Sequence, residues 1–497
     1  MKFLKNNKVA VIDERGQYSY AELLNHVDRI AKTLDCKKGS KIAICSENNV
    51  NFLATIIAVW KKKGMAFLID PQIKGAKLNE IVAECQPDKV VVSTEAGSKF
   101  NNTLQKIVSE DSIILGNWEV DKEIEKNSNL KGLKDNIELE IEESETTSIV
   151  VYTSGTTGNM IGVELSISNI LFSVNSFISN GLMREDDTLM SILPLYHAYG
   201  LATAMSAIYC GATLVMPKIQ SSAKILEMIR ETRPTTIASV PLFYRKIHKS
   251  ILNNIGIAGR TMLRISRIFR VKSMAKIVFK RVLNALGGRI RYLSSGGANL
   301  PKKIVKDFNR MGVEIISGYG LSEAGPIISC SLNSPVGSVG RPVTEVRIVN
   351  REIWVKGPGV MRGYFKRPDE TKERLEEGFL KTGDLGYLKD GFLYIDGRKS
   401  DLISLENGKN VWPYEIEKEI NRSAAVKECV VFDKNEKIYL AAVLNKGKGE
   451  EDIKSYIGWY NKRAEIHKRV DDFFILDRIE KTNLGKVRRE LLREAIA

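Results

Sequence analysis

From residue 41 to residue 316, short β-branched runs alternate with longer stretches of helical spacing, and that alternation leaves few architectures open. The runs fall at residues 41–45, 65–69, 89–92, 188–192, 213–216, 235–240 and 290–293. Strands separated by helices pair in parallel and need helices over both faces of the sheet. Around residues 337–391 the pattern changes to short strands punctuated by glycine and proline, as at 346–349, 352–355 and 392–395. That change predicts a smaller, mainly antiparallel subdomain. After Gly397-Arg398-Lys399-Ser400-Asp401, mixed helix and strand return and run to a basic tail. The expected fold is α/β, with a large N-terminal domain (residues 1–396) of parallel-rich sheets covered by helices, including a small β subdomain at 337–396. A hinge is expected at 397–402, followed by a small α+β C-terminal domain at 403–497.

Composition narrows the setting. A chain of 497 residues is long enough for more than one core. No apolar run approaches the ~20 residues needed to span a bilayer. The apolar stretch at 52–60 is short and ends in Lys61-Lys62-Lys63, and the N-terminus lacks the apolar centre of a signal peptide. Six cysteines without C-x-x-C spacing read as reduced thiols of a cytoplasmic protein. With four histidines there is no His/Cys cluster of zinc-site spacing. The net charge of +15 is unevenly placed, since no Asp or Glu occurs between Ser250 and Lys306. Between Arg260 and Arg281, basic residues interleave with Met262, Ile265, Ile268 and Phe269 at helical spacing. A basic amphipathic helix there suits an anionic membrane surface or an acidic protein partner. No nucleic-acid recognition motif accompanies it.

Residues 152–163 read Tyr-Thr-Ser-Gly-Thr-Thr-Gly-Asn-Met-Ile-Gly-Val, directly after a β-branched run at 147–151. A strand running into hydroxyls and glycines suits phosphate. Gly155 and Gly158 let backbone N–H groups turn toward an anion, while Thr153, Ser154, Thr156 and Thr157 add hydroxyl donors. The Walker pattern finds no match.

This string resembles the phosphate loop of the acyl-adenylate-forming superfamily: acyl-CoA synthetases, adenylation domains of peptide synthetases, and firefly luciferase. Further motifs follow in that family's order along nearly the whole chain. Pro194-Leu195-Tyr196-His197-Ala198-Tyr199-Gly200 matches P-L-[FY]-H-x-x-G, which implies that His197 helps orient the acyl carboxylate. The same resemblance implies an acyl tunnel lined by Tyr199, Gly200, Val240, Gly296 and Gly318. Ser295-Gly296-Gly297-Ala298-Asn299-Leu300 resembles the adenine-contacting S-G-G-A-x-L, where Cβ bulk would keep a flat ring off the backbone. Gly318-Tyr319-Gly320-Leu321-Ser322-Glu323 is similar to G-Y-G-x-T-E, with Tyr319 against adenine, Ser322 on the α-phosphate and Glu323 as a hard oxygen ligand for Mg²⁺. Thr382-Gly383-Asp384, followed by Asp396-Gly397-Arg398, implies that Asp384 takes both ribose hydroxyls and that Arg398 reaches the ribose and phosphate. Thr482-Asn483-Leu484-Gly485-Lys486 looks like T-x-x-G-K, whose lysine neutralises charge in the transition state.

The strings Gly357–Tyr364 and Asn407–Glu417 are most similar to long-chain fatty acyl-CoA synthetases, and the latter places Gly408 and Lys409 at a CoA site. The reading is a fatty acid–CoA ligase using ATP, Mg²⁺ and CoA: an acid–thiol ligase that makes acyl-AMP and then acyl-CoA. Two alternatives stay open. One is an acyl-acyl-carrier-protein ligase, and the other a catalytically impaired acyl- or nucleotide-binding homologue. The second is motivated by departures from the family pattern: Met160-Ile161-Gly162 replaces Pro-Lys-Gly, Ile167 stands where histidine is common, and Ser400 occupies a hinge position that is often Asp or Lys.

Overall fold

The structure, a computed structural model, describes residues 2–3, 6–73, 75–93, 112–114, 139–154, 160–218, 222–254, 279–405, 409–435, 437–480 and 487–495. The chain divides into two compact units: Met1–Val346 with Trp354–Lys381, and Arg347–Ile353 with Thr382–Ala497.

Two seven-stranded sheets build the larger unit. The first runs Gly363–Tyr364, Met160–Ser166, Thr147–Ser154, Met65–Ile69, Lys41–Cys45, Lys89–Val92, Ser112–Ile114. Its last five strands are parallel, and Met160–Ser166 returns antiparallel on Thr147–Ser154. The second runs Glu314–Ser317, Tyr292–Ser295, Thr236–Ser239, Thr188–Ser191, Thr213–Val215, Val9–Asp13, Gly16–Ser19, parallel throughout except for the final hairpin.

The β-branched runs at 41–45, 65–69 and 89–92 form strands with the same bounds. The run expected at 290–293 instead pairs as Tyr292–Ser295, because register with both neighbours draws two serines into the sheet despite their weak strand preference. Val9–Asp13, which precedes the alternating region of the sequence, also belongs to this sheet.

Each sheet buries its own apolar face. Ala43, Phe67, Val90 and Val150 pack with Leu78, Ile81 and Val82 of the helix Ala76–Cys85. Met190, Ile237, Leu293 and Ile315 pack with Tyr244 and Phe308, from helices Pro241–Asn254 and Lys302–Arg310. Those helices are tied by a buried pair, His248 Nε2 to Asp307 Oδ2 at 3.0 Å, and Arg310 holds the other carboxylate oxygen at 3.0 Å. Helix Val50–Lys61 is apolar nearly all round and buried along its length. The short apolar run at 52–60 is thus core. Among the described residues no helix is long and apolar enough to cross a membrane.

The antiparallel strands expected between 337 and 396 are present, and the division between units passes through them. Within the smaller unit, Phe392–Arg398 pairs antiparallel with the strand before it. Farther on, Val426–Lys434 and Lys437–Leu444 form a hairpin extended in parallel by Asp472–Ile475, and helices Pro413–Ile420 and Glu450–Asn461 cover its apolar side. The basic tail is not simply a solvated charge run: it ends in helix Arg489–Ala495, and Arg489 lies inside the fold. Its guanidinium reaches Asp401 and Glu417, each at 2.7 Å, and the Val431 carbonyl at 3.1 Å.

Candidate active site

In the larger unit the candidate residues leave the carboxyl ends of four neighbouring parallel strands. His197, Tyr199 and Gly200 follow Thr188–Ser191; Val240 follows Thr236–Ser239; Gly296, Gly297, Ala298 and Asn299 follow Tyr292–Ser295; Gly318 through Glu323 follow Glu314–Ser317. Ligand crevices of open parallel sheets lie at this end, where loops and helix starts converge.

His197 is the N-cap of helix Ala198–Cys210, with its ring 4.8 Å from that of Tyr196. A Cβ on Gly200 would stand 2.0 Å from the Pro194 carbonyl oxygen, so only glycine lets the first helical turn fold back over that loop. The Tyr199 hydroxyl bonds Ser294 Oγ at 2.9 Å, and burial pushes its phenol up to about 12. Its ring lies against Gly296, where a Cβ would be 2.8 Å from Cε1. Gly297 has φ +82° and lies beside Val240. Tyr244, which no sequence motif marks, donates to the carbonyls of Ile237 and Ser294 at 2.8 Å and braces two of the four strands.

Gly318 donates to the Ser295 carbonyl, and Tyr319 pairs with Ser329 in an isolated antiparallel bridge. Gly320 is obligatory, since a Cβ would sit 1.6 Å from the Pro326 oxygen. Ser322 and Glu323 then enter the short 3₁₀ turn Ser322–Ala324. The Tyr364 hydroxyl donates to Glu323 Oε1 at 3.1 Å, and the Met361 N–H to the Glu323 carbonyl at 2.9 Å. Burial, then the Glu323 charge, raises the Tyr364 phenol far above its ordinary value, so it stays a donor at any working pH. Among the described residues no three His, Cys, Asp or Glu side chains form a cluster able to hold a metal. A lone oriented carboxylate fits Mg²⁺, which keeps its waters and takes phosphate oxygens beside one or two protein ligands.

In the smaller unit Asp384 and Arg398 stand directly opposite in the hairpin register, and Arg398 Nε meets Asp384 Oδ1 at 2.9 Å. Asp384 is only 4% exposed, so its charge is held largely out of water and needs this partner. The turn before it is fixed from the same unit. The Asp384 N–H donates to Thr382 Oγ1, Thr382 donates to the Ile353 carbonyl, and the Gly383 N–H donates to Glu352, which also pairs with Lys399. Beside Arg398 an open pocket of about 290 Å³ is lined by Arg351, Asp396, Trp412, Tyr414 and Glu415.

Thr153 lies in Thr147–Ser154, opposite Ile161 in the returning strand. Gly155, Thr156, Thr157 and Gly158, together with Gly408 and Lys486, lie outside the described residues, as does the basic segment from Arg260 to Lys276. Ser154 is described in its backbone alone. Lys409 is exposed, and its carbonyl accepts from the Leu405 N–H. Sequence motifs missed Tyr244 and Arg489, and gave no role to Tyr364, whose hydroxyl meets Glu323 41 residues away.

These features define a class: an adenylate-forming enzyme fold, mixed α/β, with a large N-terminal and a small C-terminal domain. The chain belongs to the AMP-binding enzyme family, whose model matches residues 4–365, and the model for the AMP-binding enzyme C-terminal domain matches 400–495. Its relatives include the 2-succinylbenzoate–CoA ligase of Bacillus subtilis, 27% identical over 99% of this chain and 96% of that protein. The long-chain-fatty-acid–CoA ligase FadD15 of Mycobacterium tuberculosis is 29% identical over 64% of this chain and 56% of that protein. Among solved structures, O-succinylbenzoate coenzyme A synthetase of Bacillus subtilis with ATP and magnesium ion is 25% identical with a TM-score of 0.73, covering 98% of this chain and 96% of that one. ATP, Mg²⁺ and CoA are the cofactors of adenylate-forming CoA ligases.

Proposed function

We propose that the protein activates a carboxylic acid, a medium- or long-chain fatty acid, to acyl-AMP and transfers the acyl group to CoA. The observation that carries this reading is the convergence of His197, Val240, Gly296, Tyr319 and Glu323 at the carboxyl ends of four adjacent parallel strands. In the first step a carboxylate oxygen attacks the α-phosphorus of ATP, the bond to the β-phosphate oxygen breaks, and pyrophosphate leaves. In the second the CoA thiol sulfur attacks the acyl carbon, AMP leaves, and the thiol proton passes to solvent.

His197 orients the acid, and Tyr199, Gly200, Val240, Gly296 and Gly318 line its path. Gly297, Ala298 and Asn299 present backbone to adenine, and Tyr319 its ring. Thr153, Ser154, Gly155, Thr156, Thr157, Gly158 and Ser322 hold phosphates. Asp384 and Arg398 take the ribose, Lys486 neutralises charge at the reacting phosphate, and Gly408 and Lys409 meet CoA. Gly320 lets the chain turn between Tyr319 and Ser322. Mg²⁺, held by Glu323, supplies charge neutralisation on the phosphates. Catalysis of this kind is mostly positioning and electrostatics. Residues 397–402 serve as the hinge on which the C-terminal domain, 403–497, alternates between the two steps. The basic segment from Arg260 to Arg281 suits a peripheral membrane contact that supplies fatty acid, or an acyl carrier protein. A cytoplasmic location agrees with the six free cysteines.

A second reading, an aryl acid as substrate, is favoured by the 2-succinylbenzoate ligase that aligns over 99% of the chain. Mass spectrometry of quenched reactions with MgATP, a ladder of fatty acids and 2-succinylbenzoate, with and without CoA, separates the two. Fatty acyl-AMP that converts to acyl-CoA supports the first reading, and adenylate from the aryl acid alone replaces it with the second. Acyl-AMP that persists with CoA points to a carrier-protein acceptor.

A further inference from the structure

We propose that Asn48 is a positioning residue for His197: a side chain beyond the end of a strand of one sheet that sets the loop carrying the acid-orienting imidazole of the other. The inference rests on the role given to His197 above. Asn48 and Asp70 follow Lys41–Cys45 and Met65–Ile69, neighbouring parallel strands of the first sheet whose ends, Cys45 and Ile69, lie in register. The Asn48 amide reaches the loop after Thr188–Ser191 and binds it as a strand peptide would. Nδ2 donates to the Leu193 carbonyl at 2.7 Å, and Oδ1 accepts from the Leu195 N–H at 2.8 Å. The two bonds straddle Pro194, which has no N–H of its own to pin. Burial, then the Asp70 charge, raises the phenol of Tyr196, one residue before His197.

The clamp has a direct route to the imidazole. Pro194 accepts from the His197 N–H at 3.1 Å, closing the turn, and its carbonyl is the atom that Gly200 must avoid. Leu193 and Leu195 are 2% and 0% exposed, so water cannot replace the amide if Asn48 is lost. Asn49 caps its own helix by accepting from the Phe52 N–H, whereas Asn48 reaches 145 residues along the chain. Local helix geometry therefore explains one asparagine of the pair and not the other.

The test is a double-mutant cycle on the full chain, read as pyrophosphate release. Asn48→Asp keeps the acceptor for Leu195 but sets a carboxylate against the Leu193 carbonyl; Asn48→Ala removes both bonds. Each should lower kcat/KM for the acid roughly ten- to a hundredfold, as loss of near-attack geometry does. The KM for MgATP should stay within about twofold. In a His197→Ala background the same substitutions should have little further effect. Equal losses in both backgrounds would overturn the proposal. If Asn48→Asp fails to fold, Asn48→Ala, which introduces no charge, carries the cycle alone. NMR of the His197 imidazole nitrogens gives a readout independent of turnover. They should shift in either folded variant, and unchanged signals would also defeat the clamp. A wild-type protein that forms no adenylate with any acid, while its imidazole does respond to these substitutions, would sink the functional reading and leave the clamp standing.

Discussion

Asp384 and Arg398 face each other because they occupy opposite positions in one hairpin, whose turn lies within a few residues of both. The cluster around His197, Gly296 and Glu323 is assembled differently. Tyr199 finds Ser294 across 95 residues, Glu323 finds Tyr364 across 41, and Gly296 is crowded by the Tyr199 ring, which comes from another strand end. One region is positioned by local register and the other by the packing of remote loops. Side-chain substitutions in the hairpin should therefore cost chemistry without costing the fold, whereas many substitutions at the strand ends should cost both.

The largest expected effect tests the first half of that contrast. Asp384→Ala should cut adenylate formation roughly a hundredfold, since hydrogen bonds to a charged group are worth about 1.5–3 kcal/mol each. Its thermal midpoint should fall only slightly, because the Arg398 side chain left behind is 38% exposed and returns to water, and a large drop would mean that the Asp384–Arg398 pair holds the fold rather than the ligand. Gly320→Ala should lose activity and about 2–3 kcal/mol of stability together, because the Pro326 carbonyl fills the space of the new Cβ. Denaturant titration checks this, and a fully stable variant would show the loop to be softer than its contacts suggest.

Asp307→Asn probes the scaffold beneath the strand ends and should cost about 2 kcal/mol at pH 7. Burial pushes the Asp307 carboxyl up, but the bond and charge of His248, then Arg310 and Lys303, outweigh it and hold the group below its ordinary value. A depressed carboxyl contributes stability that is full above its unfolded value and is lost as pH falls through the folded one. The gap between wild type and variant should thus close as pH drops below about 4, measured by unfolding at a series of pH values.

Tyr364→Phe removes the donor on Glu323 and should raise the Mg²⁺ concentration needed for ATP binding about tenfold, the lower range for lost outer-shell bonds. Calorimetric titration of ATP at several Mg²⁺ levels reads it, and an unchanged requirement would remove Glu323 from the metal site. The smallest effect is a gain. Ile161→Lys adds a cation to the strand opposite Thr153 and should tighten MgATP severalfold, about 1 kcal/mol.

Much of this was legible in the residues, for identifiable reasons. The runs at 41–45, 65–69 and 89–92 became strands with those bounds because each is apolar, β-branched and buried on both faces of a parallel sheet. Gly200 and Gly320 stand in motifs because a neighbouring carbonyl excludes any Cβ, so the motif is a packing constraint written in sequence. Arg489 was hidden in a basic tail because its partners, Asp401 and Glu417, lie 88 and 72 residues away. Val9–Asp13 was hidden because it joins the sheet beside Thr213–Val215, far from it in sequence.

The sequence by itself determined the α/β class and the order of the motifs, because periodicity and short strings act over a few residues. Only the tertiary structure decided which strands are neighbours, that Tyr364 donates to Glu323, and that Asn48 holds the loop of His197. Those contacts join segments tens to hundreds of residues apart. Nothing in the local pattern at either end of such a contact specifies its partner until the sheets are assembled.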